Sequence, residues 1–208
     1  TNPDGLVTVE YLWDDDSRLE GVRDDAGNLT SFRYDTLDRR TRLTYADATF
    51  WSYSYDRDSN LTSAQDPNGT VVTRTHDALS RLVQLDVARA AGVFGTTRQT
   101  FEYDGASRLT RAVDDNGGGA PQTLDYVWDS LSRRIEERQN GGAVSTVYSG
   151  DGKRVQCTYP GGRVIGYTHD SNARVKATLD QTTATPRLVA TQDWVGPGLR
   201  ELRRVNAN

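Results

Sequence analysis

Two histidines, one cysteine and a recurring set of aspartates are the side chains of this sequence best suited to chemistry. The imidazoles of His76 and His169 are of the type that serves as acid, base or metal ligand near neutral pH. In other proteins a pair of carboxylates can hydrolyse glycosides, and a group of carboxylates can bind calcium. The acidic run at 14–16 is the densest group of carboxylates in this chain. Cys157 is the only thiol.

These side chains belong to a repeat, which has the pattern ring, Asp, three residues, basic residue, then an apolar residue or Arg. Starting at residue 13, the ring advances by 21, 21, 21, 27, 25, 20 and 21 residues, which gives eight copies. The ring position, here called the anchor, holds Trp13, Tyr34, Tyr55, His76, Tyr103, Trp128, Tyr148 and His169. The next position holds Asp14, Asp35, Asp56, Asp77, Asp104, Asp129 and Asp170, with Ser149 as the exception. The fifth position after the anchor holds Arg18, Arg39, Arg81, Arg108, Arg133, Lys153 and Arg174, with Asn60 as the exception.

Membership of the repeat favours a structural role for these residues. A catalytic pair or a metal site is expected to interrupt a repeat, whereas the histidines and aspartates follow it. The run at 14–16 is therefore interpreted as a solvated acidic turn, and Cys157, which has no histidine pattern nearby, as an inert or partly buried thiol. We predict no catalytic residue, no metal and no cofactor.

The spacing within each copy predicts β-hairpins. A second ring stands two residues before most anchors, for example Tyr53 before Tyr55, and this spacing puts both rings on one face of a strand. Asp and the small residues after it favour a tight turn, across which the basic residue returns to the Asp or pairs with the neighbouring copy. A second turn, such as 66–69, closes each copy. The fold class is therefore predicted to be all-β, a spiral or solenoid-like antiparallel sheet of about 21-residue hairpins with on the order of sixteen strands and little or no helix.

The chain is predicted to be a single array over residues 1–208. The eight copies cover about 7–176, and a degenerate C-terminal portion follows at 177–208. The two longer intervals are insertions around 87–95 and 116–121, and we expect both as loops between the second strand of one copy and the first strand of the next.

Composition excludes several classes. The net charge of −4 argues against nucleic-acid binding, and no apolar run is long enough to span a membrane. The chain contains no Met, so we expect it to be a fragment or a processed protomer of a longer protein.

The motif Tyr-Asp followed by Arg-Leu-Thr, as in residues 103–110, resembles the YD or Rhs (rearrangement hot spot) repeat family. The best other copy is 34–41, and the resemblance covers about 7–176. It implies a β-sheet that winds as a spiral. In bacterial Rhs toxins and insecticidal toxin complexes the spiral forms a hollow shell around a toxic polypeptide, and teneurins have a similar barrel on the cell surface. The self-cleaving segment that precedes the toxin has no match in this sequence.

Three acceptor sequons stand at Asn28, Asn60 and Asn68. The resemblance leads us to predict a secreted or cell-surface location, and glycosylation of these sequons would require a secretory route.

Three functions compete at this point. The first is a non-catalytic structural protein that forms a shell, stalk or end-to-end fibre and self-associates through open strand edges or further repeats of the parent chain. The second is a carbohydrate-binding or adhesion module that uses the aromatic rows. The third, an enzyme, depends only on acids outside the pattern. A toxin polypeptide enclosed by the shell is the partner implied by the resemblance.

Overall fold

A computed structural model describes residues 7–195 and 198–204. Within these ranges the chain forms eighteen β-strands and no helix, and all strands are assigned to one antiparallel sheet. The predicted all-β fold built from repeated hairpins is therefore confirmed. The predicted single array also includes residues 1–6, 196–197 and 205–208, which lie outside the described residues.

The chain divides into two compact units, Thr1–Phe101 with Asp114–Pro121, and Glu102–Val113 with Gln122–Asn208. In the first unit consecutive strands pair from β1 to β9. These strands are β1 (Glu10–Trp13), β2 (Leu19–Arg23), β3 (Leu29–Tyr34), β4 (Arg40–Thr44), β5 (Phe50–Tyr55), β6 (Leu61–Gln65), β7 (Val71–His76), β8 (Leu82–Ala88) and β9 (Arg98–Tyr103). The last residues of β9 belong to the second unit.

In the second unit consecutive strands pair from β11 to β18. The strands from β10 onward are β10 (Leu109–Asp115), β11 (Gln122–Trp128), β12 (Arg134–Gln139), β13 (Gly142–Tyr148), β14 (Arg154–Thr158), β15 (Val164–His169), β16 (Val175–Asp180), β17 (Arg187–Val195) and β18 (Gly198–Arg204). The last pair, β17 and β18, lies in the portion that the sequence marks as degenerate, so the hairpin pattern extends beyond the eight copies.

Each anchor is followed by the same five-residue turn, here called the anchor turn. In the turn at 35–39 the amide of Asp35 donates to the carbonyl of Arg39 at 2.9 Å, and the amide of Asp38 donates back to the carbonyl of Asp35 at 3.1 Å. Asp38, the fourth residue of the turn, has a φ of 60°, in the left-handed region. The strand register shifts between Arg33 and Tyr34, so a bulge accompanies the turn. Asp and Ser tolerate this geometry, which explains why one of them fills the fourth position in six of the eight anchor turns, with Gly152 and Ala173 as the exceptions.

The turns at the other ends of the strands, here called return turns, use the same geometry in several hairpins. In the turn at 45–49 the amide of Tyr45 donates to the carbonyl of Thr49 at 2.9 Å, and Ala48 has a φ of 67°. Alanine lacks the side-chain oxygen with which Asp or Asn stabilises a left-handed residue. The backbone at Ala48 is therefore strained.

Replacing Ala48 by glycine is expected to raise the free energy of unfolding by about 0.5–1 kcal/mol, because glycine adopts a positive φ without steric cost. Urea unfolding measures the change. Ala46→Gly is the matched control, since Ala46 lies in the same turn without a positive φ, and there the added chain entropy of glycine is expected to destabilise the protein slightly. Equal effects of the two changes would contradict the assignment of strain to Ala48.

The two insertions lie where the sequence predicts them. β8 ends at Ala88 and β9 begins at Arg98, while β10 ends at Asp115 and β11 begins at Gln122. The loops contact each other, because both the amide and the hydroxyl of Thr97 donate to the carbonyl of Asp115, at 2.7 and 2.8 Å.

Few side chains are buried in this sheet. Among the described residues the buried hydrophobic ones are Ala64, Cys157, Ile165 and Ala190, and most rings of the repeat are half-buried. The sheet therefore gains its stability from many partly buried rings and not from a deep core.

Candidate functional site

The aspartate after each anchor organises its turn. One carboxylate oxygen of Asp104 accepts the amides of Ala106 and Arg108 at 2.9 and 3.0 Å, and the other accepts Nε of Arg108 at 2.7 Å. No other side chain of this length satisfies two amides and a guanidinium at once. The same three contacts are made by Asp14, Asp35, Asp77, Asp129 and Asp170.

These contacts lower the pKa of the turn carboxyls. For Asp104 the side-chain bond from Arg108 is the main cause of the low pKa, and the backbone amides add to it. For Asp77 and Asp170 the arginine bond is likewise the largest cause of a lowered pKa. The carboxyls are therefore ionised at neutral pH and engaged in the turn, which is the opposite of a catalytic acid.

The arginine that closes one turn also reaches the next hairpin. Nη1 of Arg39 donates to the carbonyl of Asp56 at 2.8 Å and lies 3.2 Å from the hydroxyl of Ser59. Nη1 of Arg108 makes the equivalent bonds to Asp129 and Ser132, also at 2.8 and 3.2 Å. The sequence left open whether the basic residue returns to its own Asp or pairs with the neighbouring copy, and these arginines do both.

The anchor ring supplies the second link between hairpins. The hydroxyl of Tyr34 donates to the carbonyl of Leu19 in the preceding hairpin at 2.8 Å, and the guanidinium of Arg18 lies 5.4 Å from the centre of the same ring. The same bond to the preceding hairpin is made by Tyr55, Trp128, Tyr148 and Trp194. The same guanidinium–ring contact joins Arg39 to Tyr55, Arg108 to Trp128, Arg133 to Tyr148 and Arg174 to Trp194.

We call the interface between the second strand of one hairpin and the first strand of the next a joint. Backbone pairing across the joint between β2 and β3 joins only three residue pairs, from Gly21↔Ser31 to Arg23↔Leu29, all near the return turn. The end of the joint near the anchor turns lies beyond this pairing. The arginine and the anchor ring hold this end together. These side chains therefore connect the part of the joint that backbone hydrogen bonds do not.

A second set of arginines covers the rings two residues before the anchors. The guanidinium of Arg40 lies 5.9 Å from the centre of Phe32 and 5.3 Å from that of Tyr53. Arg154 lies 4.7 Å from the centre of Tyr167. Burial is the main cause that raises the pKa of Tyr167 to about 12, with a hydrogen bond to Tyr159 adding to it.

Residues 55–93 match the family model described as RHS Repeat. This segment is an RHS repeat. The matched segment runs from the anchor Tyr55 through the hairpin of His76 to the first insertion, and the same turn and strand geometry recurs on both sides of it. The resemblance stated from the Tyr-Asp pattern is thereby confirmed.

Solved structures similar to this chain include toxin components. A crystal structure titled TcdB2-TccC3-Cdc42 aligns with a TM-score of 0.45 at 12% identity and covers 91% of this chain and 14% of its own. A Photorhabdus luminescens Tc holotoxin pore aligns with a TM-score of 0.34 at 13% identity, covering 96% and 15%. A porin-like protein from Bacteroides uniformis aligns with a TM-score of 0.38 at 12% identity, covering 96% and 90%. The chain thus spans a small part of the toxin chains, and comparison with curated proteins gives no significant match.

Two copies of the repeat have no arginine at the fifth position. Asn60 replaces the arginine, and its amide donates to Asp56 at 3.0 Å and to the hydroxyl of Ser80 at 3.2 Å. Lys153 pairs with Asp151 at 2.8 Å, because its turn begins with Ser149 in place of Asp. This bond from Lys153 is the main cause that lowers the pKa of Asp151 to about 2.

The residues considered for chemistry are not gathered into one site. Within the described residues no three His, Cys, Asp or Glu side chains lie close enough to hold a metal ion. His76 lies in the first unit and His169 in the second, and each occupies the last position of a strand. Cys157 is 3% exposed, with its sulfur 3.6 Å from the hydroxyl of Thr146. In the part of the chain that the structure describes, no helix is long and apolar enough to cross a membrane.

The three sequons differ in their surroundings. The amide groups of Asn28 and Asn60 donate to Asp24 and Asp56 in their turns, at 2.8 and 3.0 Å. Asn68 lies exposed in the turn 66–70. Glycosylation of any of the three remains a prediction.

Sequence reasoning left open whether a further unit or a frayed end begins at Trp194, and it did not assign Trp194 as an anchor. Its indole donates to the carbonyl of Val175 at 2.7 Å and Arg174 lies 5.5 Å from its ring, as at the regular anchors. No Asp and no basic residue follow it at the usual positions, so the motif gave no signal. A signal was available in the spacing, because Trp194 follows the anchor His169 by 25 residues, the same step that separates Tyr103 from Trp128.

Proposed function

We propose that this chain is a non-catalytic structural segment of a secreted or cell-surface protein, in which the hairpins form part of the wall of a β-spiral. The RHS repeat supports this proposal, since the resemblance to that family implies a hollow shell around a toxic polypeptide. An enclosed toxin polypeptide is then the cargo, and further repeats of the parent chain complete the wall.

The observation that carries the proposal is that the motif residues bind one another within and between hairpins. Asp104 is bound within its own turn, Arg108 links that turn to the next hairpin, and Trp128 bonds back. Recurrence of these contacts in both units supports a role of the motif in holding hairpins together, which a repeat wall requires. We propose the same structural role for every anchor, turn aspartate and fifth-position basic residue of the repeat.

The carbohydrate-binding alternative requires ring faces that are open to a sugar. Arg39 lies 4.8 Å from the centre of Tyr55, and Arg133 lies 4.9 Å from that of Tyr148. These half-buried anchors therefore have one face occupied by a guanidinium, which favours the structural proposal over sugar stacking along the anchor row.

We propose in addition that the chain self-associates, and the first strand supports this proposal. Tyr11 and Trp13 are 59% and 61% exposed, whereas Phe32 and Tyr34, their equivalents in the next hairpin, are half-buried. Exposed rings on a strand favour docking of further strands. We propose that further strands cover these rings, supplied by a second copy of the chain or, in the parent protein, by further repeats.

The mass of the purified chain, measured by light scattering during size-exclusion chromatography, is expected to rise with protein concentration. The double variant Tyr11→Ser with Trp13→Ser is expected to weaken this association about tenfold or more, because two large exposed rings leave the contact. Tyr45→Ser is the matched control: Tyr45 is 39% exposed but lies in a return turn, so its loss is expected to change little. A monomer at all concentrations would contradict self-association.

A further inference from the structure

The fifth-position side chain and the next anchor ring vary together along the chain. Where the fifth position is arginine, the next anchor is Tyr or Trp, as in Arg18 with Tyr34. The two copies in which it is not arginine are Asn60 and Lys153, and the anchors that follow them are His76 and His169, the only two histidines of the sequence. The departures therefore fall on the same two joints, one in each unit.

The joint between Asn60 and His76 lacks the ring–carbonyl bond and the cation–ring contact of a regular joint. An imidazole is shorter than a phenol or an indole, and among the described residues no hydrogen bond joins His76 to the preceding hairpin. Its Nδ1 is buried without a hydrogen-bond partner, and an unpartnered buried nitrogen is unfavourable. Asn60 keeps one neutral bond to the next hairpin, to Ser80 at 3.2 Å, but has no charge to place over the ring.

The joint between Lys153 and His169 lacks the same two contacts. The ammonium of Lys153 is held by Asp151 in its own turn at 2.8 Å. In the described part of the chain, no hydrogen bond or cation–ring contact links Lys153 or His169 across the joint.

Backbone pairing does not compensate at either joint. β6 and β7 pair over Ser63↔Thr73 to Gln65↔Val71, and β14 and β15 over Gln156↔Gly166 to Thr158↔Val164. Each of these joints has three residue pairs at positions equivalent to those that β4 and β5 form at the regular joint of Arg39 and Tyr55. The ends of the joints near the anchor turns therefore depend on side chains. At the two histidine joints the bond from the anchor ring to the preceding hairpin and the contact of a fifth-position cation with that ring are missing among the described residues, while the Asn60–Ser80 bond and the Arg154–Tyr167 contact are kept.

We propose that the Asn60–His76 and Lys153–His169 joints are release points, at which neighbouring hairpins separate near their anchor turns before any regular joint of the same unit does. In a repeat array each hairpin is coupled only to its neighbours, so the joint with the fewest contacts opens most often. The property belongs to the joints themselves and holds for a shell and for a fibre alike.

Hydrogen exchange followed by mass spectrometry on the full chain tests the proposal. Peptides that cover 60–63 and 73–76 are expected to exchange faster than those that cover 39–42 and 52–55. The double variant Asn60→Arg with His76→Tyr installs a regular pair, and it is expected to slow exchange at its joint on the order of tenfold, since it adds a ring–carbonyl bond and a cation–ring contact.

The reciprocal variant Arg39→Asn with Tyr55→His is the control. It is expected to speed exchange at the regular joint to a similar degree and to leave the 60–63 peptide unchanged. Wild-type exchange that is as slow at the Asn60–His76 joint as at the Arg39–Tyr55 joint would overturn the proposal. An installed Arg–Tyr pair without effect on exchange would overturn it as well.

Discussion

Replacing Trp128 by alanine is expected to lower the free energy of unfolding by about 2–3 kcal/mol. The indole donates to the carbonyl of Leu109 at 2.8 Å, receives the guanidinium of Arg108 at 5.8 Å and lies 6.1 Å from the ring of Tyr126. The change removes the hydrogen bond, the cation–ring contact and a half-buried ring at once, at the end of the joint that backbone pairing leaves open. Urea unfolding followed by circular dichroism measures the loss.

The matched control is the same substitution at the first anchor. Trp13 is 61% exposed, and among the described residues it bonds to no preceding hairpin. Trp13→Ala is therefore expected to cost less than about 1 kcal/mol. Trp128→Phe separates the contributions, because phenylalanine keeps a ring under Arg108 but cannot donate to Leu109, and an intermediate loss is expected. Equal losses at Trp13 and Trp128 would show that the joints do not depend on anchor rings.

The second expected result is a loss of stability in acid, with the urea midpoint falling between about pH 5 and pH 3. The folded pKa of the aspartate in each anchor turn is below the ordinary value of 3.8. For Asp77 and Asp170 the side-chain bond from arginine is the main cause of the low pKa. A group whose pKa is lowered by folding contributes its full stabilisation above its unfolded pKa and loses it as the pH falls through the folded pKa. The effect is expected to be large because the same turn recurs along the chain.

Asp77→Asn tests the assignment to a single turn. Asparagine retains an acceptor for the amides of Leu79 and Arg81 but loses the ionic bond to the guanidinium, which is 2.7 Å long in the structure. The variant is expected to be less stable than the wild type at pH 7, and the difference is expected to shrink toward pH 2–3 as the wild-type carboxyl is protonated.

Asp25→Asn is the control for the aspartate change. Asp25 is an exposed residue of a return turn, and no hydrogen bond to its side chain is seen in the described residues. The wild type and this variant are expected to show the same pH dependence. A difference between wild type and Asp77→Asn that stays constant from pH 7 to pH 3 would contradict the role of the ionised carboxylate.

The hairpins of this protein could be predicted because their contacts are local. Asp35 and Arg39 close a turn within five residues, and the ring two positions before each anchor marks the strand face. Turn geometry and strand alternation depend on neighbours in sequence, so the recurrence of the motif determined the fold class and the places of the insertions.

The joints could not be predicted in the same way, because they connect residues of different hairpins. The sequence allowed Arg108 to bind its own Asp or the next copy, and only the position of the following hairpin shows that it does both. Trp194 lacks the motif and still bonds to Val175, since its place on the sheet and not its sequence neighbours brings it there.

By itself, therefore, the sequence determined an array of antiparallel hairpins with a ring, an aspartate and a basic residue in fixed places. Only the tertiary structure shows which side chains link neighbouring hairpins. The physical reason is reach: a phenol or indole spans the gap to the preceding carbonyl and carries a guanidinium on its face, as Tyr34 does, whereas the shorter imidazole of His76 meets neither partner.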